Sequence, residues 1–262
     1  MIRVITTIIL AVAALAGIWT LPLFLFQLLV VVIIGVGLAE YATLVFQEKS
    51  ARLLMIFLGV LLASLMTWWP TLDAVVGALV GSVFVSFLWG MWHREPLSEA
   101  THRVALIVLG LCYLAIPLSY WNWVRELGRG WVMLLLFPAC LTDTFGFLVG
   151  KTMGKRKLAP SLSPNKTWEG VAGSLLGGGV FGLWVAAKIF FGGVTTDWFS
   201  FLFVGISISV VAIFGDLMES LLKRSVGVQG ASHLIPGHGG ILDRLDALTF
   251  VAPLFYFLQK LL

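Results

Sequence analysis

The chain has 262 residues, of which 60% are hydrophobic and 11% charged, and its mean hydropathy is +1.01. That excludes an ordinary water-soluble domain, and apolar runs of about 20 residues mark membrane-crossing helices. The net charge of +4 does not point to nucleic acid, because the cations are scattered through loops between apolar runs. Two cysteines, Cys112 and Cys140, lie inside such runs and read as small core residues, not as a disulfide or a metal site.

The apolar runs predict nine spans, roughly 3–20, 21–46, 52–70, 72–92, 103–120, 131–150, 168–191, 199–221 and 240–260. The first run resembles a signal peptide, with AVAALAG as a cleavage region. A second run starts almost at once at Leu21, so an uncleaved first span is expected. The first two spans turn tightly into each other, as do the third and fourth at Trp69-Pro70. The expected fold is an all-α polytopic integral membrane protein of about nine transmembrane helices. Residues 1–130 are expected to form a scaffold and residues 131–262, which hold the charged stretches taken up below, a second region with a polar, cytoplasm-facing cavity, in one structural unit.

Orientation follows from the cations. Arg3, Lys49, Arg52, Arg94, Arg103, Lys151, Lys155, Arg156, Lys157, Lys166, Lys223 and Arg224 fall in one set of loops, against Arg125, Arg129 and Lys260 in the other. The twelve-to-three bias places the amino terminus and the charged loops in the cytoplasm. Trp68, Trp69, Trp121, Trp123, Trp131 and Trp198 are then expected at the outer interface as an aromatic belt. In the first five spans the acidic residues Glu40 and Asp73 read as structural polar contacts.

Asp143 opens the first informative stretch, DTFGFLVGKTMGKRKLAPSLSPNKTWEG. A carboxylate mid-span is costly unless it faces a polar cavity. The cluster Lys151, Lys155, Arg156 and Lys157 suits an anionic membrane surface. In SPNKTWEG, Ser163, Asn165, Lys166 and Thr167 offer hydroxyl, amide and ammonium groups just before a helix begins at Trp168, which suits phosphate. Pro160 and Pro164 keep the segment out of helix and predict a fixed loop.

The second stretch is GDLMESLLKRSVGVQGASHLIPGHGGILDRLD, from Gly215 to Asp246. It holds four carboxylates, three cations and two histidines in otherwise apolar surroundings. Helical spacing puts Asp216, Glu219 and Lys223 on one face, and Asp243 and Asp246 on one face of the following helix. IPGHGG, with Gly237, His238 and Gly239, breaks the helix between them and lets backbone approach a ligand. Two acidic helix ends across a glycine loop suit Mg²⁺, and Lys223, Arg224 and Arg244 suit the phosphates it would accompany.

These motifs resemble the phosphatidate cytidylyltransferases, also called CDP-diacylglycerol synthases. The resemblance rests on Asp143-Thr144, Gly154-Lys155-Arg156-Lys157-Leu158-Ala159-Pro160, Ser163 to Gly170, Ser220, Lys223-Arg224, Pro236 to Gly240 and Asp243-Arg244-Leu245-Asp246, and it covers roughly the last 120 residues. Two departures stand out: Phe145 where a small residue is usual, and Gln229-Gly230 where the family has Lys-Asp. The resemblance implies an enzyme of phospholipid biosynthesis that joins CTP to phosphatidic acid, releasing pyrophosphate. It implies Mg²⁺, with room for a second cation, and a homodimer in a bacterial inner membrane.

On that reading Asp216 and Asp243 are the metal ligands and Asp246 a third or supporting carboxylate. Lys223, Arg224 and Arg244 bind phosphates, and His238 contacts phosphate or shapes the loop beside Gly237 and Gly239. Lys157, Ser163, Asn165, Lys166 and Thr167 close over the nucleotide or lipid head, while Asp143 and Glu219 orient these groups. A phosphate nucleophile is ionised near neutral pH, so no strong general base is needed. The competing readings are a CTP-dependent prenol kinase, a non-catalytic lipid- or nucleotide-binding relative, and a transporter. The last would carry polar groups at both membrane faces, whereas here they gather at one.

Overall fold

A computed structural model describes residues 15–92, 97–193, 197–228 and 240–261. Among the described residues the fold is all-α apart from one small hairpin, as an apolar chain in lipid requires, because helices satisfy their backbone groups internally. Among the described residues, seven helices are long and apolar enough to cross a membrane. Most of the 3–20 run lies outside the described residues, although residues 15–20 are helical. The last expected span, 240–260, is broken into short pieces.

Helix α1 (Leu23–Val45) starts after Pro22, whose missing N–H is harmless at a helix start. Helix α2 (Lys49–Trp68) ends at the expected Trp69-Pro70 turn, and α3 (Leu72–Trp92) returns beside it. The next span, Glu99–Leu127, is the central one: 61% of its apolar window is buried, against 11% for α3. It comprises α4 (Leu97–Gly110), a π-helical turn (Leu111–Ala115) and α5 (Ile116–Leu127). The widened turn sits just ahead of Pro117, where the backbone ladder lacks a donor.

Burial at the far end of this span depends on paired polar groups. Asn122 Nδ2 donates to Thr67 Oγ1 at 2.8 Å, Trp123 Nε1 to the Met66 carbonyl at 2.8 Å, and Arg125 Nη2 to the Leu21 carbonyl at 3.2 Å. Trp121 is buried and donates to the Leu248 carbonyl at 3.2 Å. It belongs to the helix packing and not to the expected belt. Cys112 and Cys140 also depart from expectation, because both are exposed free thiols pointing away from the core.

The remaining helices position the charged residues. Helix α6 (Arg129–Met153) contains Pro138, and Thr142 Oγ1 donates to the Pro138 carbonyl at 2.9 Å. The chain then forms a hairpin of β1 (Lys157–Ala159) and β2 (Ser163–Thr167), with Lys157 opposite Thr167 and Ala159 opposite Ser163. Helix α7 (Trp168–Gly173) runs into a nine-residue π-helical segment, Ser174–Gly182, and then α8 (Leu183–Phe191). Helix α9 (Trp198–Ser225) comes next, capped by the Asp197 carboxylate, which accepts the Ser200 N–H at 2.9 Å.

Hydroxyls lock α6, the π segment and α9 together. Thr142 and Ser209 Oγ atoms lie 2.6 Å apart, Ser174 Oγ donates to the Thr142 carbonyl at 2.8 Å, and Ser209 Oγ to the Ser174 carbonyl at 3.2 Å. Gly178 abuts Thr142, and Gly179 abuts Gly205, with no room for a β-carbon at either glycine. The chain closes with α10 (Leu242–Leu245), a 3₁₀ turn (Asp246–Leu248) and α11 (Val251–Leu261).

Candidate active site

Helix α6 and the hairpin build one wall of a cavity of about 730 Å³. Gly146 and Gly150 are four apart and so share a face of α6, and Gly154 follows directly at its C-cap. A β-carbon on Gly150 would lie 3.1 Å from Thr167 Oγ1, and one on Gly170 would lie 2.9 Å from the Gly146 carbonyl. The glycines therefore let the hairpin and α7 sit directly on α6. Thr167 caps α7, its hydroxyl accepting the Gly170 N–H at 3.1 Å. The Glu169 carboxylate accepts the Lys155 N–H at 3.0 Å and the Arg156 N–H at 3.2 Å, tying down the start of the hairpin.

The expected fixed loop is thus a strand pair, with Pro164 within β2. Asp143, Lys157, Ser163, Asn165, Lys166 and Thr167 all line the cavity, together with Asp216 from α9. Lys166 Nζ meets Asp216 Oδ2 at 2.5 Å, so the two charged stretches of the sequence join at this contact. Arg224 Nε approaches the Leu162 carbonyl at 3.5 Å, bringing the end of α9 against the hairpin turn.

Beyond Lys166, Asp216 gathers with Glu219 and Asp246, each offering one oxygen within 4.8 Å of the others. Residues 216 and 219 share a face of α9, as their spacing predicts. Asp246 reaches them because Gly215 leaves no gap between α9 and the 3₁₀ turn: a β-carbon there would collide with the Asp246 carbonyl. Asp243, expected beside Asp216, is held differently. Lys223 Nζ bonds Asp243 Oδ1 at 2.8 Å and Glu219 Oε2 at 2.6 Å, and Asp243 Oδ2 accepts the Gly240 N–H at 2.9 Å. Arg244 lies on the exposed side of α10. His238, Gly237, Gly239, Gln229 and Gly230 fall outside the described residues.

The carboxylate group suits a hard divalent cation. Glu219 is 1% exposed; Lys223 meets its Oε2 at 2.6 Å, while its Oε1 has no hydrogen-bond partner and is free to face a cation. Burial first, and the charge of Asp216 second, push the Asp246 carboxyl up to about 8. Burial also pushes Asp243 up, but its bonds to Glu219, Lys223 and the Gly240 N–H outweigh this and hold it below the usual carboxylate range.

One partner was not legible as such in the sequence. Glu40 of α1, read as a structural contact, is 2% exposed, and its Oε2 accepts the Leu242 N–H at 2.8 Å, at the start of the segment carrying Asp243 and Asp246. A buried carboxylate in the amino-terminal half was the available signal; its partner, 202 residues away, was not.

The fold and site together define a polytopic membrane protein with carboxylates, ammonium groups and a hydroxyl-rich hairpin around one cavity, a class suited to phosphate chemistry at a membrane face. Comparison with known sequences narrows this. The pattern of the cytidylyltransferase family matches residues 1–262. The chain belongs to the cytidylyltransferase family. It is 39% identical over 165 residues to the phosphatidate cytidylyltransferase of Bacillus subtilis, covering 61% of this chain and 59% of that protein. The matched stretch therefore spans about six tenths of that relative's length. It is 32% identical over 270 residues to the Pseudomonas aeruginosa phosphatidate cytidylyltransferase, covering 97% of this chain and 94% of that protein. With the Thermotoga maritima phosphatidate cytidylyltransferase it shares 31% over 235 residues, covering 85% and 83%.

Proposed function

We propose that this protein transfers the cytidylyl group of CTP to phosphatidic acid, giving CDP-diacylglycerol and pyrophosphate. The observation that carries the proposal is the Lys166–Asp216 contact, which joins the hairpin to the carboxylate group at one cavity. The relatives' names supply the substrates. In the reaction a phosphate oxygen of the lipid attacks the α-phosphorus of CTP, and the bond to the bridging oxygen of pyrophosphate breaks. Lys166, Lys157, Ser163, Asn165 and Thr167 would hold the phosphates from the hairpin side. Asp143 would orient the ammonium and hydroxyl groups around it in the same cavity. Lys223 holds Glu219 and Asp243 in place, and Arg224 and Arg244 would receive the departing pyrophosphate.

Asp216, Glu219 and Asp246 would hold Mg²⁺. Such a cation, when bound, neutralises the meeting of two anions and stabilises the leaving pyrophosphate. Glu219 and Asp246 join Asp216 in this group because each brings an oxygen within 4.8 Å of the others, while both oxygens of Asp243 are bonded, one to Lys223 and one to the Gly240 N–H. We place the hairpin face in the cytoplasm, where CTP is found and where the cation bias puts these loops, and the protein in a bacterial inner membrane.

Incubation of the purified protein with α-labelled CTP, phosphatidic acid and Mg²⁺ should move label into a lipid and release unlabelled pyrophosphate. Label entering lipid only from γ-labelled CTP would reveal a kinase and overturn the proposal.

A further inference from the structure

The short segment that carries Asp243 and Asp246 has no cap of its own. Helix α10 spans four residues, and its N-cap, Ile241, offers no side-chain acceptor. The Leu242 N–H would be an orphan in an apolar setting, since Leu242 is fully buried. The acceptor comes from another part of the chain: Glu40 Oε2, at 2.8 Å. The same carboxylate occupies the space where a β-carbon on Gly240 would stand. Gly37, one turn earlier in α1, faces Leu245 across the same seam, 3.4 Å from a β-carbon position to Leu245 Cδ1. Glu40 therefore fixes both the position of residue 240 and the first turn of α10.

The carboxylate network is built on that turn. The Gly240 N–H holds Asp243 Oδ2, Asp243 Oδ1 holds Lys223, and Lys223 holds Glu219. Three residues after Asp243, Asp246 completes the group with Asp216 and Glu219. A rotation of α10 by a fraction of a turn would carry Asp246 away from that group.

We propose that Glu40 is a positioning residue for the carboxylate group: from the amino-terminal half it sets the phase of residues 240–246, so that Asp246 meets Asp216 and Glu219. The inference rests on the reading of that group as a divalent-cation site. Glu40 is neither in the lining of the cavity nor in the carboxylate group. Its effect is to preorganise ligands, and loss of such support weakens metal affinity roughly 10- to 100-fold in comparable sites.

Mn²⁺ binding to the full-length protein in detergent, followed by electron paramagnetic resonance, tests this without turnover. Glu40→Leu should weaken Mn²⁺ binding about tenfold or more. Glu40→Gln keeps an acceptor oxygen at the same reach and should stay near the unaltered affinity. Gly240→Ala should reproduce the loss with no charge removed. The three atoms nearest a β-carbon there all belong to the Glu40 carboxylate. Hydrogen exchange at the Leu242 amide should quicken in Glu40→Leu and Gly240→Ala while the melting temperature shows both folded. Unchanged Mn²⁺ affinity in folded Glu40→Leu and Gly240→Ala overturns the positioning role alone. Absence of Mn²⁺ binding by the unaltered protein overturns the cation-site reading and this inference with it. If neither variant folds, Glu40 serves stability and the positioning role is likewise overturned.

Discussion

Asp216 stands at the junction of two networks, bonded to Lys166 on the hairpin side and grouped with Glu219 and Asp246 on the other. Asp216→Asn keeps the shape but removes a charge that both networks use. We expect turnover to fall on the order of 10²–10³-fold, the scale seen when one preorganised electrostatic contact is lost, with the protein still folded. Near-normal turnover at saturating Mg²⁺ would remove Asp216 from the site. Asp246 gives a second test. Asp246→Asn keeps the shape and removes the charge, and it should weaken Mg²⁺ binding about tenfold or more with the protein still folded. Unchanged Mg²⁺ affinity would mean that Asp246 is not a ligand. The face shared by Asp216, Glu219 and Lys223 was legible from spacing alone. The approach of Asp246 to that face was not, because it involves a 3₁₀ turn beginning at residue 246 and a cap donated from α1.

At the level of elements, the hairpin depends on backbone contacts that tolerate no side chain. A β-carbon on Gly170 would stand 2.9 Å from the Gly146 carbonyl and 3.3 Å from Gly150 Cα, neither of which can swing aside. Gly170→Val should cost about 1–3 kcal/mol, the usual scale of overpacking, and lower the melting temperature in detergent. It should also weaken CTP binding more than it lowers stability, because the hairpin carrying Ser163 to Thr167 must shift. A variant with normal melting and normal CTP affinity would show that α6 and α7 can part without consequence. Hydropathy located the spans well where helices are uniformly apolar: 72–92 and 168–191 match the structure's own limits. It cut the central span short, at 120 instead of Leu127, because Asn122 and Arg125 read as loop residues. Their partners, Thr67 and the Leu21 carbonyl, make them acceptable inside. Conversely, 240–260 is apolar enough on average to pass as one span, yet it breaks where Asp246 turns toward α9.

For the molecule as a whole, Ser161 lies in the hairpin turn and Ser225 ends α9, and the Arg224–Leu162 contact places both at the same end of the bundle. Gly128 begins the other end, a 25-residue helix away. In a background lacking Cys112 and Cys140, cysteines at Ser161 and Ser225 should resist an impermeant thiol reagent in intact cells and label in inverted vesicles. A cysteine at Arg129 should show the reverse. Labelling of Ser161→Cys from outside would invert the proposed orientation.

The π-helical run Ser174–Gly182 sets the angle between the segments on either side of it. Each turn of such a run bonds i to i+5 and so holds more residues than an α-helical turn. Wound as ordinary α-helix at 3.6 residues per turn, the same nine residues would turn further, and everything upstream would rotate against α8. Ser174 would leave Thr142, and the hairpin with Lys166 would swing off Asp216. The wide winding works as an angular spacer between a membrane anchor and a reactive edge. In this segment, winding and not composition is the quantity under constraint.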